Sequence, residues 1–183
     1  VVSAAGVNSD GRTTGVSLPS SEMQRALLED VYASFDIDPQ RLAFIEAHGT
    51  GTRAGDPIEP HALREALGKK RAEPLLIGSA KTTVGHLEAG SGLVGLLKAQ
   101  LALEHGLTPA SLHFQEPNPD IEFDAWNLRV ADTAVPLPKQ DAPLYAGVNS
   151  FGFGGANAHV VLRQAKADEK RPAPGKVEPA SLI

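Results

Sequence analysis

Short apolar runs alternate with amphipathic stretches along this chain, and clusters of Gly, Pro, Asn and Asp separate them. Residues 1–7 (VVSAAGV) are an apolar run closed by Asn8, Asp10 and Gly11, the pattern of a strand entering a turn. Pro19, Ser20, Ser21 and Glu22 then supply a helix start ahead of Met23, Leu27, Leu28 and Val31. Asp38 and Pro39 break that helix, and residues 42–45 (LAFI) give a short buried-strand signal that ends at Glu46, Ala47, His48 and Gly49. His48 is therefore expected at the C-terminal end of a strand. After a glycine-rich turn, Asp56 is placed to cap a helix with Pro57 in its first turn, running through Ile58, Leu63 and Leu67 to Gly68. Residues 75–78 (LLIG) predict the next strand. The loop 79–85 leads to His86 and a long helix through Leu93, Leu96, Leu97 and Leu101 that stops at His105 and Gly106.

Further strands are predicted over 127–135 and 144–149, with a last one over 159–162 after the glycine loop 152–155. Strand, loop and helix in repeated alternation imply right-handed crossovers and an α/β architecture, a mainly parallel sheet with helices on both faces. In such sheets ligands gather outside the strand carboxyl ends. The stretch 93–103, interrupted by Lys98 and Gln100, reads as a buried helix and falls far short of the ~20 residues a membrane span needs. From Arg163 onward the apolar periodicity is lost to prolines and charges, which divides the chain into a domain over 1–162 and a linker over 163–183.

Composition narrows the chemistry. With 42% hydrophobic and 21% charged residues the 183-residue chain can bury a sizeable core, so disorder of the whole is excluded. A net charge of -5 and the lack of a basic stripe with interleaved aromatics argue against a nucleic-acid groove. There is no cysteine, and the six histidines lack zinc-ligand spacing, so neither a disulfide framework nor a metal site is expected, and any cysteine chemistry must come from elsewhere. The first residues resemble no signal peptide, which makes the cytoplasm the default location; starting on a strand and without Met, the chain reads as a piece of a longer one.

Three segments at predicted strand ends are dense in Gly, His, Thr and Asn: EAHGTGT at 46–52, KTTVGHLEAGSG at 81–92 and NSFGFGGANAH at 149–159. Glycine lets backbone approach a ligand, and histidine exchanges protons near neutral pH, so together they nominate one site. In this order, with GVNSDGRT before them and DPIE after the first, they resemble the C-terminal half of a β-ketoacyl synthase, over residues 1–162. That family comprises the condensing enzymes of polyketide and fatty-acid synthases.

The resemblance implies a thiolase-like fold of two similar halves, with this chain as the second. It also implies a decarboxylative Claisen condensation between an acyl thioester on a cysteine of the first half and a malonyl-type extender on acyl carrier protein. It carries His48 and His86 onto the two catalytic histidines and Lys81 onto the active-site lysine; the cysteine has no counterpart here. Thr50 and Thr52 match threonines that hydrogen-bond the phosphopantetheine arm, the substrate carrier, no bound cofactor being implied. Phe153, with Gly154 beside it, matches the gating phenylalanine, whose amide pairs with that of the cysteine in an oxyanion hole. Asn149 and Phe151 of the same segment, and Glu88, are supporting positions. Implied partners are the N-terminal half with the cysteine, acyl carrier protein, a second copy in a homodimer and an adjacent acyltransferase domain after the linker; no nucleic acid and no membrane are implied.

Two histidines suit this reaction because loss of CO2 leaves an enolate oxygen that two convergent N–H groups can stabilise. His86 is expected just before the long helix, whose N-terminus disfavours imidazolium. Glu88, on the first turn of that helix, is the candidate partner for a buried Lys81. His61, His105, His113 and His159 fall outside the matched offsets and are assigned structural or surface roles.

Two positions depart from the family pattern. Thr83 stands where many relatives have Asn, which alters local hydrogen bonding. Gly95 stands where fatty-acid members often carry Glu, which points to the modular type I polyketide branch. The competing reading is a non-catalytic ketosynthase-like partner of the chain-length-factor type, which has no need of both histidines.

Overall fold

A computed structural model describes residues 1–13, 15, 18–52, 55–166 and 169. The first apolar run forms β1 (Val2–Ser9). It leads to α1 (Ser21–Ser34), whose start is fixed by the Ser20 side chain accepting the Met23 N–H. β2 (Leu42–Glu46), α2 (Ile58–Ala66) and β3 (Leu75–Gly78) follow, then a one-turn helix α3 (Lys81–Val84) and the long α4 (Ser91–His105). Beyond α4 come the short strands β4 (Leu107–Thr108), β5 (Leu128–Val130) and β6 (Val135–Pro136), then β7 (Tyr145–Phe151) and β8 (Ala156–Arg163).

Six strands make one sheet in the order β1-β8-β7-β2-β3-β5. β2 is parallel to β3 and β7, and β3 to β5. β8 is antiparallel to both its neighbours, so it alone runs against the rest. The sheet is thus mainly parallel, and its faces are covered as such sheets require. On one face Leu27, Leu28, Val31, Leu63 and Leu67 of the α1–α2 layer pack on Ile45, Leu75 and Val161. On the other, Ala99, Ala102 and Leu103 of α4 pack on Phe44, Ala146 and Val148. Among the described residues, no helix is long and apolar enough to cross a membrane.

Five sequence expectations change. Asp56 does not cap α2: Pro57 holds the capping position without a side-chain bond, and the Asp56 carboxylate instead receives Asn118 Nδ2–H at 3.2 Å. The strand expected over 127–135 is two strands in different sheets, since β6 pairs with β4 in a separate two-stranded ribbon. Asn127, at φ +54, stands outside β5 and gives its amide to the Gly68 and Arg71 carbonyls. The long helix starts at Ser91 rather than directly after His86, because a 3-10 turn at Glu88–Gly90 intervenes. Finally, α4 is buried on one side only: Leu93, Leu97 and Leu101 are 66%, 56% and 51% exposed, while its sheet-facing side is Gly95, Ala99, Ala102 and Leu103. Of the linker expected over 163–183, Arg163 belongs to β8 and Gln164 is tied to Leu144 and Leu103; residues 167, 168 and 170–183 lie outside the described ones.

One glycine in the sheet is required by packing. A Cβ on Gly147 would lie 2.4 Å from Ile45 Cδ1, 2.8 Å from His159 Cε1 and 3.1 Å from the Tyr32 hydroxyl. Gly147→Ala is expected to lower stability by about 1–3 kcal/mol, the usual cost of overpacking, read as a shift in the denaturant midpoint at unchanged slope.

Candidate functional site

The carboxyl ends of β2, β3 and β7 lie side by side in the sheet, so the three glycine-rich segments that follow them converge. After β2 the Ala47 N–H still reaches the Gly78 carbonyl at 2.7 Å, and the chain then turns through His48 and Gly49. The turn is held from α2. Glu59 Oε1 accepts the His48 N–H at 2.8 Å and Oε2 the Gly49 N–H at 2.9 Å, while Asn149 Nδ2 donates to Oε1 at 2.8 Å. Gly49 has φ +47 and would carry a Cβ 3.1 Å from that of Ser79, so the turn needs glycine on both backbone and steric grounds.

His48 is half-buried, and its Nδ1 is sealed from solvent without a hydrogen-bond partner among the described residues. Burial, reinforced by the charge of Lys81 and the proximity of His86, lowers its pKa from 6.5 to about 4. The ring is therefore neutral at physiological pH. Its centroid lies 5.7 Å from that of His86 in an edge-on arrangement and 5.8 Å from that of Phe151.

His86 is oriented by its own loop. Its Nδ1 receives the Glu88 N–H at 2.9 Å and lies 3.0 Å from the Ser91 hydroxyl, which itself accepts the Leu87 N–H at 2.9 Å. A backbone N–H can only donate, so Nδ1 is the acceptor and the neutral ring carries its proton on Nε2. Ser91 is the first residue of α4, so the helix start reaches His86 through this hydroxyl.

Lys81 is less tightly placed than its motif suggests. The carboxylates acting on it are Glu59 and Glu46, not Glu88, and burial outweighs them in lowering its pKa. Glu88 instead sits in the 3-10 turn with φ +48 and acts on His86 through its backbone. The expected Lys81–Glu88 pairing is thus replaced, because α4 begins later than its apolar pattern implied. Glu46 is almost fully buried, bonded to Lys98 Nζ at 2.6 Å and to the Ala80 N–H, and burial raises its pKa against the pull of Lys98. Gly95 makes this possible, since a Cβ there would lie 3.0 Å from Glu46 Cγ.

His48, His86, Thr50, Thr52, Glu88, Phe151 and Phe153 all line one cavity of about 810 Å³. Lys81 and Asn149 border a second, much smaller space behind it. Thr52 Oγ1 accepts the Gly55 N–H at 3.1 Å and so also serves its own turn. Phe153 is 80% exposed at the rim, while Phe151 is buried. Around Gly154 a Cβ would meet nothing within 4 Å.

Several residues of the site were given no role from sequence. Asp10, in the GVNSDGRT turn, lines the cavity and ties that turn to the glycine loop: its N–H reaches the Gly155 carbonyl at 2.8 Å and its carboxylate accepts Asn157 Nδ2–H at 2.7 Å. Gln24 also lines the cavity, with its side-chain oxygen buried and without a hydrogen-bond partner among the described residues. Glu59 lay within the DPIE string, but its spacing carried no sign that its carboxylate returns to the His48 turn.

Comparison with known proteins identifies the family. Residues 1–115 match the family described as "Beta-ketoacyl synthase, C-terminal domain" and residues 117–182 the "Ketoacyl-synthetase C-terminal extension". The chain is 47% identical over 178 residues, 96% of its length, to one of the phenolphthiocerol/phthiocerol polyketide synthase proteins of Mycobacterium tuberculosis, covering 9% of that protein. It is 45% identical over 170 residues, 92% of its length, to the hybrid PKS-NRPS synthetase pynA of Aspergillus niger, covering 4% of it. Among solved structures, the ketosynthase from module 6 of the Bacillus subtilis bacillaene synthase superposes with a TM-score of 0.87 at 35% identity, over 91% of this chain and 32% of that one. Ketosynthase twelve of the Bacillus amyloliquefaciens bacillaene synthase gives 0.86 at 38% identity, over 90% and 30%. The chain thus spans less than a tenth of these curated relatives and about a third of the solved ketosynthases. With the family match over residues 1–115, the identity to these synthases and the superposition on solved ketosynthases, this chain belongs to the β-ketoacyl synthase family, as its C-terminal domain in polyketide-synthase form.

Proposed function

We propose that this chain supplies the decarboxylating half of a ketosynthase active site, with the cysteine nucleophile contributed by an N-terminal half. The observation that carries this is the pair of rings 5.7 Å apart on one cavity wall, His86 with its proton on Nε2 and His48 neutral. In this reading the thioester oxygen of a malonyl-type extender on acyl carrier protein lies between the two imidazoles. The bond to the carboxylate breaks and CO2 leaves. The electron pair moves onto an enolate whose oxygen accepts hydrogen bonds from the rings. The enolate carbon then attacks the acyl carbonyl on the cysteine, a carbon–carbon bond forms, and collapse of the tetrahedral oxyanion expels the thiolate. The Phe153 amide contributes to that second oxyanion site, Phe153 and Gly154 gate the acyl chain, and Thr50 and Thr52 bind the phosphopantetheine arm. Lys81 keeps positive charge behind the histidines.

The exposed Leu93, Leu97 and Leu101 side of α4 supports the need for a second half, since contiguous apolar surface of this kind marks an interface. The same reading gives a homodimeric, multidomain synthase with an acyltransferase beyond residues 163–183, and a chain that is inactive by itself. Both histidines facing one cavity favours the catalytic form over a silent partner. The test is a full-length synthase carrying this segment, supplied with an acyl thioester and malonyl-acyl carrier protein. Matched CO2 release and β-ketoacyl product are expected; cysteine acylation without either would refute the assignment.

A further inference from the structure

Behind His48 a line of buried polar groups runs between the α1–α2 layer and the sheet. Tyr32 from α1, His159 from β8, Asn149 from β7 and Glu59 from α2 are all buried, His159 completely. His159 Nδ1 lies 2.6 Å from Asn149 Oδ1, and its Nε2 3.3 Å from the Tyr32 hydroxyl. Asn149 Nδ2 lies 2.8 Å from Glu59 Oε1, the oxygen that also holds the His48 N–H.

The polarity of this line is fixed by its ends. Burial raises the Glu59 pKa, but the Gly49 and His48 N–H groups and the Asn149 amide all favour the carboxylate, which can only accept, so the Asn149 group facing it is the amide nitrogen and the group facing His159 is the carbonyl oxygen. His159 must then donate from Nδ1, which leaves Nε2 to accept the Tyr32 hydroxyl. Burial lowers the His159 pKa to about 3, so a second proton does not upset the arrangement. Space for it exists because residue 147 is glycine: a Cβ there would crowd both His159 and Tyr32. A histidine is an expensive way to fill a core, whereas an apolar residue would leave the Asn149 carbonyl unpaired and its amide free to rotate.

We infer that His159 is a positioning residue for the condensing site: its Nδ1–H locks the Asn149 amide, which holds the Glu59 carboxylate under the His48–Gly49 turn and so aims His48 at the enolate oxygen. This rests on the function proposed above.

The test uses the full-length synthase and two isosteric amides. In His159→Asn the side-chain amide nitrogen sits near the position of Nδ1 and keeps the donor; in His159→Gln it reaches toward Nε2 and loses it. CO2 release from malonyl-acyl carrier protein, its KM and cysteine acylation are measured for each. The Asn variant is expected within fivefold of the parent. The Gln variant is expected to lose at least tenfold in kcat, with KM and acylation within twofold. Equal rates for the two, or an equal loss of acylation and decarboxylation in the Gln variant, overturn the assignment. If the Gln variant does not fold, Asn149→Ser breaks the same line and is expected to lose at least tenfold in decarboxylation alone; a smaller loss overturns it. A parent synthase that releases no CO2 refutes the functional reading instead, whatever the variants do.

Discussion

His86→Ala in a complete synthase is expected to lower malonyl decarboxylation by on the order of 10²–10³-fold, the usual effect of deleting one oxyanion donor. Acylation of the cysteine should change little. The split follows from the orientation of the ring: Nδ1 is occupied by the Glu88 N–H, so only Nε2–H is available to the cavity, where it meets the extender. Radiolabelled acyl transfer and CO2 release measure the two half-reactions separately, and equal loss of both would remove His86 from the enolate. The pH profile gives a second arm. Since the folded pKa of His48 is depressed from 6.5 to about 4, the ring stays neutral as pH falls through 6.5 and takes up its proton only near 4. His48 should therefore impose no loss of decarboxylation between pH 7 and about 5. An unfolded chain binds that proton near 6.5, so this group withdraws stability as pH falls from 6.5 toward 4 and has no further effect below it.

The isolated chain is expected to be insoluble or molten, because Leu93, Leu97 and Leu101 form an apolar ridge on the side of α4 away from the sheet. Each leucine contributes roughly 1.5–3 kcal/mol when buried, so covering the ridge matters on the scale of a whole domain's stability. Dye binding and sedimentation of the expressed fragment test this. Leu93→Ser, Leu97→Ser and Leu101→Ser together should improve its recovery, and the same three changes in the full synthase should abolish condensation by preventing the two halves from closing. A monomeric fragment that unfolds cooperatively would show that the half is self-sufficient.

Much of this architecture was legible because its signals are local. The strand over 42–45 with its ending at His48, and the body of the long helix with its Gly106 stop, follow from runs, breakers and period alone. The three motifs nominated the candidate site by their glycines and histidines at strand ends, and the resemblance to the family proposed the role of each residue. Tertiary structure decided what depends on neighbours distant in sequence. Asp56 was drawn from its helix cap to Asn118, and residues 127–135 were divided between two sheets by where the pairing edges lay. Lys81 faces Glu59 and Glu46 in place of Glu88, since crossovers bring β2 and α2 alongside its loop. Glu59 reaches the His48 turn, and His159 reaches Asn149, because strand register and helix docking converge residues that linear spacing leaves unconnected. Even α4 shows the division: the sequence determined an apolar helix, but only the packing of Gly95, Ala99 and Ala102 against the sheet determined which side was left for another surface.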